Sequence, residues 1–218
     1  MRSSELEVRK QEDKMRITPF VVGTVSTNCY LVWDEQSKEA MLVDPGLYKP
    51  VIDKAIEDNG LTLKYILLTH GHFDHVLGIE SFLKSNPNAE LLVNEADVNM
   101  IENVSPHKQL KEGDTVELGE LSFRVIETPG HTEGGLSFYT SENDESLTGQ
   151  SFSGTVFTGD TLFSNSIGRT DLPGGDFATL IKSIEEKLFI LPDDTLVLPG
   201  HMDGSTIGNE KRFNPFIK

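Results

Sequence analysis

Apolar residues along this chain fall mostly into short runs with the two-residue alternation of strands, interrupted by a few segments of helical spacing. From Arg16, the segments RITPFVVG, NCYLVW and AMLVDPG each read as a strand, the last running into a Pro-Gly turn. A short helix is predicted next, with Pro50 near its start, Val51, Ile52, Ala55 and Ile56 on its apolar face and Gly60 as its stop. YILLTH reads as a buried strand and VLGIESFLKS as a helix. LLVN, SFRVIET, GLSFYT and GTVFTGD predict further strands, and the polar, turn-rich SENDESLTGQS predicts an exposed loop. Residues 176–190 carry the clearest helical period, with Asp176 as cap, Phe177, Leu180, Ile181, Ile184 and Leu188 on one face, and Pro192 beyond the end. The first 14 residues are charged and aperiodic and read as a loose leader, and residues 15–218 read as a single domain. Strand pairs lie too close in sequence for helical crossovers between them, so mixed or antiparallel sheets covered by helices are expected.

Several predicted strands end alike, in a small turn and then a polar side chain. MLV leads to Asp44, YILLT to His70, VIETPG to His131, VFTG to Asp160 and LVLPG to His201. Pro-Gly-His occurs twice, at 129–131 and 199–201. Neighbouring strands that each deliver such a residue would gather them at one sheet edge, where open sheets bind ligands. The run LLTHGHFDHVLG adds His72, Asp74 and His75. His70 and His72 are two apart, which places them on one side of an extended segment and not on one face of a helix. A loop leading into a helix that starts near His75 is therefore expected.

The set is then His70, His72, Asp74, His75, His131, Asp160 and His201, leaving only His107 of the six histidines outside it. Imidazole and carboxylate together suit zinc, iron or manganese. Seven donors exceed the four of one tetrahedral ion, and they suit two divalent ions with a shared bridge. A division that respects spacing assigns His70, His72 and His131 to one ion and Asp74, His75 and His201 to the other, with Asp160 bridging. Such a pair holds a hydroxide and polarises a carbonyl or phosphoryl oxygen, with Asp74 as the ligand that orients the hydroxide. Asp44 is a candidate acceptor behind a histidine ligand, or a cap of the turn at Pro45-Gly46.

Composition narrows the class. A net charge of −16 disfavours nucleic acid as a partner. No stretch approaches the roughly 20 apolar residues of a membrane span, and the polar start lacks a secretory signal, so a cytoplasmic protein is expected. The single cysteine, Cys29, rules out an intrachain disulfide or a thiolate zinc cluster and reads as a small buried hydrophobe. His107 reads as a surface loop residue, and the sequon at Asn103-Val104-Ser105 as coincidence. A homo-oligomer is compatible with all of this.

The chain resembles the metallo-β-lactamase superfamily and, within it, the glyoxalase II-like hydrolases. THGHFDH is similar to that family's THxHxDH signature, TPGHTEGG to TPGHTxG, TGDTLF to its bridging-aspartate motif and LPGH to its last histidine motif. The resemblance implies an αββα sandwich, with two mixed sheets packed face to face under outer helices, and the same division of ligands around a dinuclear edge site. A β-lactamase of the common zinc type would carry a cysteine near the bridging position, so Asp160 speaks against antibiotic hydrolysis. SIGRTDLPGGD and STIGNEKRFNP resemble the short, single-domain bacterial members. Only 17 residues follow His201, too few for the C-terminal helical domain that helps glyoxalase II proper hold glutathione.

The expected activity is hydrolysis of a small anionic acyl thioester of the S-lactoylglutathione kind. Arg169, Lys211 and Arg212 are the basic residues placed by sequence to meet such a substrate, and Phe163 is a candidate for its pocket wall. The alternative is a persulfide dioxygenase on the same fold, with one iron held by His72, His131 and Asp160. A nuclease or a non-enzymatic metal-binding module ranks below both.

Overall fold

A computed structural model describes residues 14–217, so all of the expected leader except Lys14 lies outside the described residues. The first sheet has six strands in sequence order: β1 (Met15–Val22), β2 (Thr27–Asp34), β3 (Glu39–Val43), β4 (Thr62–Leu67), β5 (Glu90–Asn94) and β6 (Lys108–Leu110). β1 to β3 pair antiparallel, and β3 to β6 parallel. The second sheet is built from β7 (Thr115–Leu118), β8 (Leu121–Glu127), β9 (Leu136–Thr140), β10 (Thr155–Gly159), β13 (Leu196–Pro199) and β14 (Ser205–Thr206), in the order β14-β13-β10-β9-β8-β7. Only β10 and β13 are parallel there. A two-stranded hairpin, β11 (Leu162–Phe163) and β12 (Ser166–Ile167), follows β10.

Alternation along the strands sorts the core into three layers. Tyr30, Val32, Met41 and Val43 face Phe123, Val125, Phe138 and Phe157 of the other sheet. The intervening Leu31, Trp33, Ala40 and Leu42 point outward to α1 (Pro50–Asp58) and, after a short α2 (Phe73–Val76), to α3 (Ile79–Ser85). Val156 and Val197 of the second sheet face α5 (Phe177–Ser183) and α6 (Ile207–Phe213) on its outer side. The αββα sandwich implied by the sequence motifs is the architecture observed. Phe138, fully buried between the sheets, gives a direct test of this core. Phe138→Ala is expected to cost about 3–5 kcal/mol in a denaturant titration, the usual range for truncating a buried aromatic.

Three local expectations need correction. Of the helix expected over VLGIESFLKS, Ile79–Ser85 is helical, while Val76 ends the preceding α2, because the Gly78 N–H turns to the Pro45 carbonyl at 2.8 Å and leaves the helical ladder. The exposed loop SENDESLTGQS contains a helical turn, α4 (Glu145–Thr148). Its cap Asp144 is buried, accepting the Ser146 N–H at 2.9 Å and the Ile17 N–H at 2.8 Å. The helix over 176–190 has its expected cap, since Asp176 accepts the Thr179 N–H at 2.7 Å. After Ser183 it widens into a π turn over Ile184–Leu188, closed by the Phe189 N–H on the Ile184 carbonyl at 2.8 Å. Leu180, Ile184 and Leu188 are buried as expected, whereas Phe177 is 52% exposed. It lies in the first turn, where the helix is tied to the Gly130 carbonyl through the Asp176 N–H.

Candidate metal centre

Strands from both sheets end at one edge of the sandwich, and the polar residues that follow them meet there. β4 runs into Thr69–His72, β10 into Asp160 and β13 into Gly200-His201, while His131 follows β8. Close approach is needed at two glycines. A Cβ on Gly159, which has φ +49°, would lie 2.2 Å from the Thr69 hydroxyl oxygen. One on Gly200 would lie 2.4 Å from Asp160 Oδ1 and 2.8 Å from His75 Cε1.

Two sets of donors converge: His70, His72 and His131 in one, and Asp74, His75 and His201 in the other, the donor atoms of each lying within 4.8 Å of one another. Asp160 stands between them. Its Oδ2 is 3.5 Å from His131 Nε2 and 3.5 Å from His201 Nε2, and its Oδ1 is 3.5 Å from His75 Nε2. Asp74 Oδ2 lies 3.1 Å from His201 Nε2 and 3.4 Å from His75 Nε2, and accepts the Thr27 hydroxyl at 3.0 Å. Asp44 lies behind the cluster with φ +52°, a left-handed conformation uncommon outside glycine and concentrated at functional sites.

The partners behind the rings fix their tautomers. His75 Nδ1 is 3.0 Å from Asp44 Oδ2, which can only accept, so Nδ1 carries the proton and Nε2 faces the cluster. Asp44 also accepts the Thr69 hydroxyl at 2.7 Å and the Thr69 N–H at 2.8 Å. With its own proton given to Asp44, the Thr69 oxygen accepts from His70 Nδ1 at 3.0 Å, and His70 Nε2 is left facing inward. His131 Nδ1 donates to the Arg169 carbonyl at 2.7 Å, and its Nε2 lies 2.8 Å from His72 Nδ1.

This arrangement passes a test for a bound cation. His70 Nε2, His75 Nε2 and Asp160 Oδ1 are buried without a hydrogen-bond partner, a costly state unless something else meets them. Burial, then the neighbouring His75 and His131, holds His70 well below the ordinary histidine value, and burial with His131 lowers His72. Neutral rings are the form that binds metal. Burial also opposes charge on His75, yet the Asp44 and Asp160 carboxylates, the hydrogen bond to Asp44 and the nearby Asp74 raise it to about 10. Against the same opposition of burial, the hydrogen bond to Asp74 raises His201. Burial works against the Asp74 carboxylate too, but His201 and His75 together pull it far below the usual range. His70 and His72 thus present neutral nitrogen donors, while His75 and His201 hold positive charge between carboxylates.

The chain matches the family model of the metallo-beta-lactamase superfamily over residues 22–201. It belongs to that superfamily. Among curated members, it is 37% identical to the hydroxyacylglutathione hydrolase GloC of Haemophilus influenzae, with 93% of this chain and 98% of GloC covered. It is 32% identical to the human mitochondrial persulfide dioxygenase ETHE1, with 87% of this chain and 70% of ETHE1 covered. Among solved structures, the B3 metallo-beta-lactamase BLEG-1 superposes with a TM-score of 0.82 at 29% identity, covering 93% of this chain and all (100%) of BLEG-1. TTHA1623, solved in a di-iron-bound form, superposes with a TM-score of 0.74 at 32% identity, covering 92% of this chain and 100% of its own.

Within this superfamily fold, the residues expected to meet substrate are placed differently from the donors. The Arg169 guanidinium forms a two-pronged pair with Asp171 at 2.8 and 2.7 Å in solvent, and it is the Arg169 carbonyl that serves the cluster. Lys211 and Arg212 pair with Asp193 at 2.5 and 3.7 Å. They line a groove with Phe189 and Phe213 that includes none of the clustered donors. Phe163 is buried, its ring edge-to-face with His201 at 6.3 Å between centroids. Cys29 is fully buried in β2. His107 is exposed, and its Nδ1 accepts the Leu91 N–H at 2.9 Å. No helix among the described residues is long and apolar enough to cross a membrane. Sequence reasoning missed Thr27, Thr69 and the Arg169 carbonyl. The threonine before the first histidine of LLTHGH was the one local signal available.

Proposed function

We propose that the chain is a cytoplasmic dinuclear metal-dependent hydrolase that cleaves a small anionic acyl thioester of the S-lactoylglutathione kind. The observation that carries this reading is the pair of donor sets joined by one carboxylate, Asp160. The identity to GloC over almost the whole of both chains supports the thioester.

In this reading His70, His72 and His131 would hold one ion and Asp74, His75 and His201 the other, with Asp160 placed between the two sets. Zinc, iron or manganese bound there would supply a water-derived nucleophile near neutral pH and polarise the carbonyl. Asp74, held by the Thr27 hydroxyl, orients that nucleophile. Asp44 and Thr69 keep the Nε2 lone pairs of His75 and His70 turned inward, as outer partners of ligands do. The leaving group needs no acid from the protein, because a free thiol ionises with a pKa of about 8.5 and departs as thiolate. The test is turnover by metal-loaded protein across acyl thioesters, a phosphodiester and a β-lactam. Thioesters are expected to be cleaved first, and indifference to all of them would sink the reading.

A second reading, persulfide dioxygenase, is favoured by the likeness to ETHE1 and by the contiguity of His72, His131 and Asp160. One iron per chain and oxygen uptake with glutathione persulfide would establish it. Two ions per chain and thioester cleavage without oxygen uptake would exclude it.

A further inference from the structure

The loop holding His70 and His72 follows a strand of the first sheet, and the loop holding His131 follows a strand of the second. One carboxylate outside the cluster ties the two together. Asp97 lies in a 3-10 helix, Glu95–Met100, whose start is pinned by the Asn94 side chain accepting the Ala96 N–H at 2.9 Å. Asp97 is 1% exposed. Its Oδ2 accepts the Gly71 N–H at 2.9 Å and the Thr132 hydroxyl at 2.8 Å, and its Oδ1 accepts the Gly134 N–H at 2.8 Å.

Gly71 stands between His70 and His72, and Thr132 follows His131. Each member of the first donor set therefore has a chain neighbour hydrogen-bonded to Asp97. The second set rests on other supports. Asp74 is met by Thr27, His75 by Asp44, and His201 follows Gly200, which bonds to Gly159 and Asn28 at 2.8 and 2.7 Å. A buried carboxylate is costly to desolvate unless its oxygens are met, and charge-assisted bonds of this kind are stronger than neutral ones. Both Asp97 oxygens are spent on the two loops, which makes it a brace and not a donor to the cluster.

We propose that Asp97 is a positioning residue that preorganises the His70–His72–His131 ion site and leaves the Asp74–His75–His201 site untouched. The inference rests on the two-ion reading above. It adds a residue outside the donor set and an asymmetry between the two sites.

The test titrates metal-stripped wild-type and Asp97→Asn proteins with Co²⁺ against a chromophoric chelator, following the cobalt d–d bands. Asparagine keeps the shape but has one acceptor oxygen where two are needed. The wild type is expected to bind two ions. The variant is expected to lose about 10–100-fold in affinity at the nitrogen-rich site, the usual effect of removing an outer partner, and to change its band there, with the other site held within about twofold. Thr132→Val removes one of the three bonds while keeping the branched shape. It should shift the same site by less, and it decides the question if Asp97→Asn does not fold. Equal weakening of both sites, or no change at either, overturns the proposal. A wild type that binds no cobalt overturns the two-ion reading itself, so the two failures are distinguishable.

Discussion

Replacing Asp160 by alanine is expected to lower thioester turnover by about 10³-fold, the upper scale for losing one preorganised charge at a reacting centre. The size follows from position. Asp160 lies within 3.5 Å of ring nitrogens belonging to both donor sets, so on the proposed two-ion reading its loss would remove a ligand from each ion and the link between them. Metal content should fall below two ions per chain in the same sample. The fold should not suffer in step, because Asp160 Oδ1 has no hydrogen-bond partner to lose. The melting midpoint of the metal-free variant should fall only modestly below that of metal-free wild type, because Asp160 faces the charged His75 and His201 there. More than a tenth of wild-type turnover with two ions still bound would show that the bridge is not at Asp160.

Withdrawing the metal from wild-type protein should abolish turnover and lower its melting temperature together. A ligand present at 1,000 times its dissociation constant stabilises the native state by about 4 kcal/mol, which corresponds to about 8–16 °C for a domain of this size. The cause is visible in the cluster. Without an ion, three buried polar atoms have no partner, and charge on His75 and His201 must substitute for the cation between Asp44, Asp74 and Asp160. Returning zinc, iron and manganese separately to the stripped protein then identifies the working metal by which restores both midpoint and rate. Turnover that survives exhaustive chelation would exclude metal-dependent chemistry.

Much of the fold was legible because the strands alternate cleanly. Tyr30 and Val32 against Leu31 and Trp33 show how one strand divides between two apolar layers, and that division requires only local spacing. Helix ends were less legible. The break at Gly78 depends on a carbonyl of Pro45 supplied from another loop, and the π turn after Ser183 on packing against β10 and β13.

The donors themselves stood out in the sequence because metal chemistry admits few side-chain types, and here His70, His131, Asp160 and His201 each follow a strand, with His72, Asp74 and His75 packed into the same short run as His70. Their pairing into two sets followed from spacing and resemblance, and the same sets draw together in space. The charges were a different matter. Arg169, Lys211 and Arg212 looked free to meet an anion, but their partners Asp171 and Asp193 are chosen by how α6 and the loop after β12 settle. The supporting shell was equally hidden. A threonine hydroxyl, a backbone carbonyl or an aspartate such as Asp97 acquires its role only when chain segments far apart in sequence reach hydrogen-bond distance. By itself, then, the sequence determined the strand layers and the donor residues, since both depend on local pattern and side-chain chemistry. Tertiary structure alone decided which carboxylates brace which loops and which cations are already paired, because those contacts last only where the folded chain holds both partners within about 3 Å.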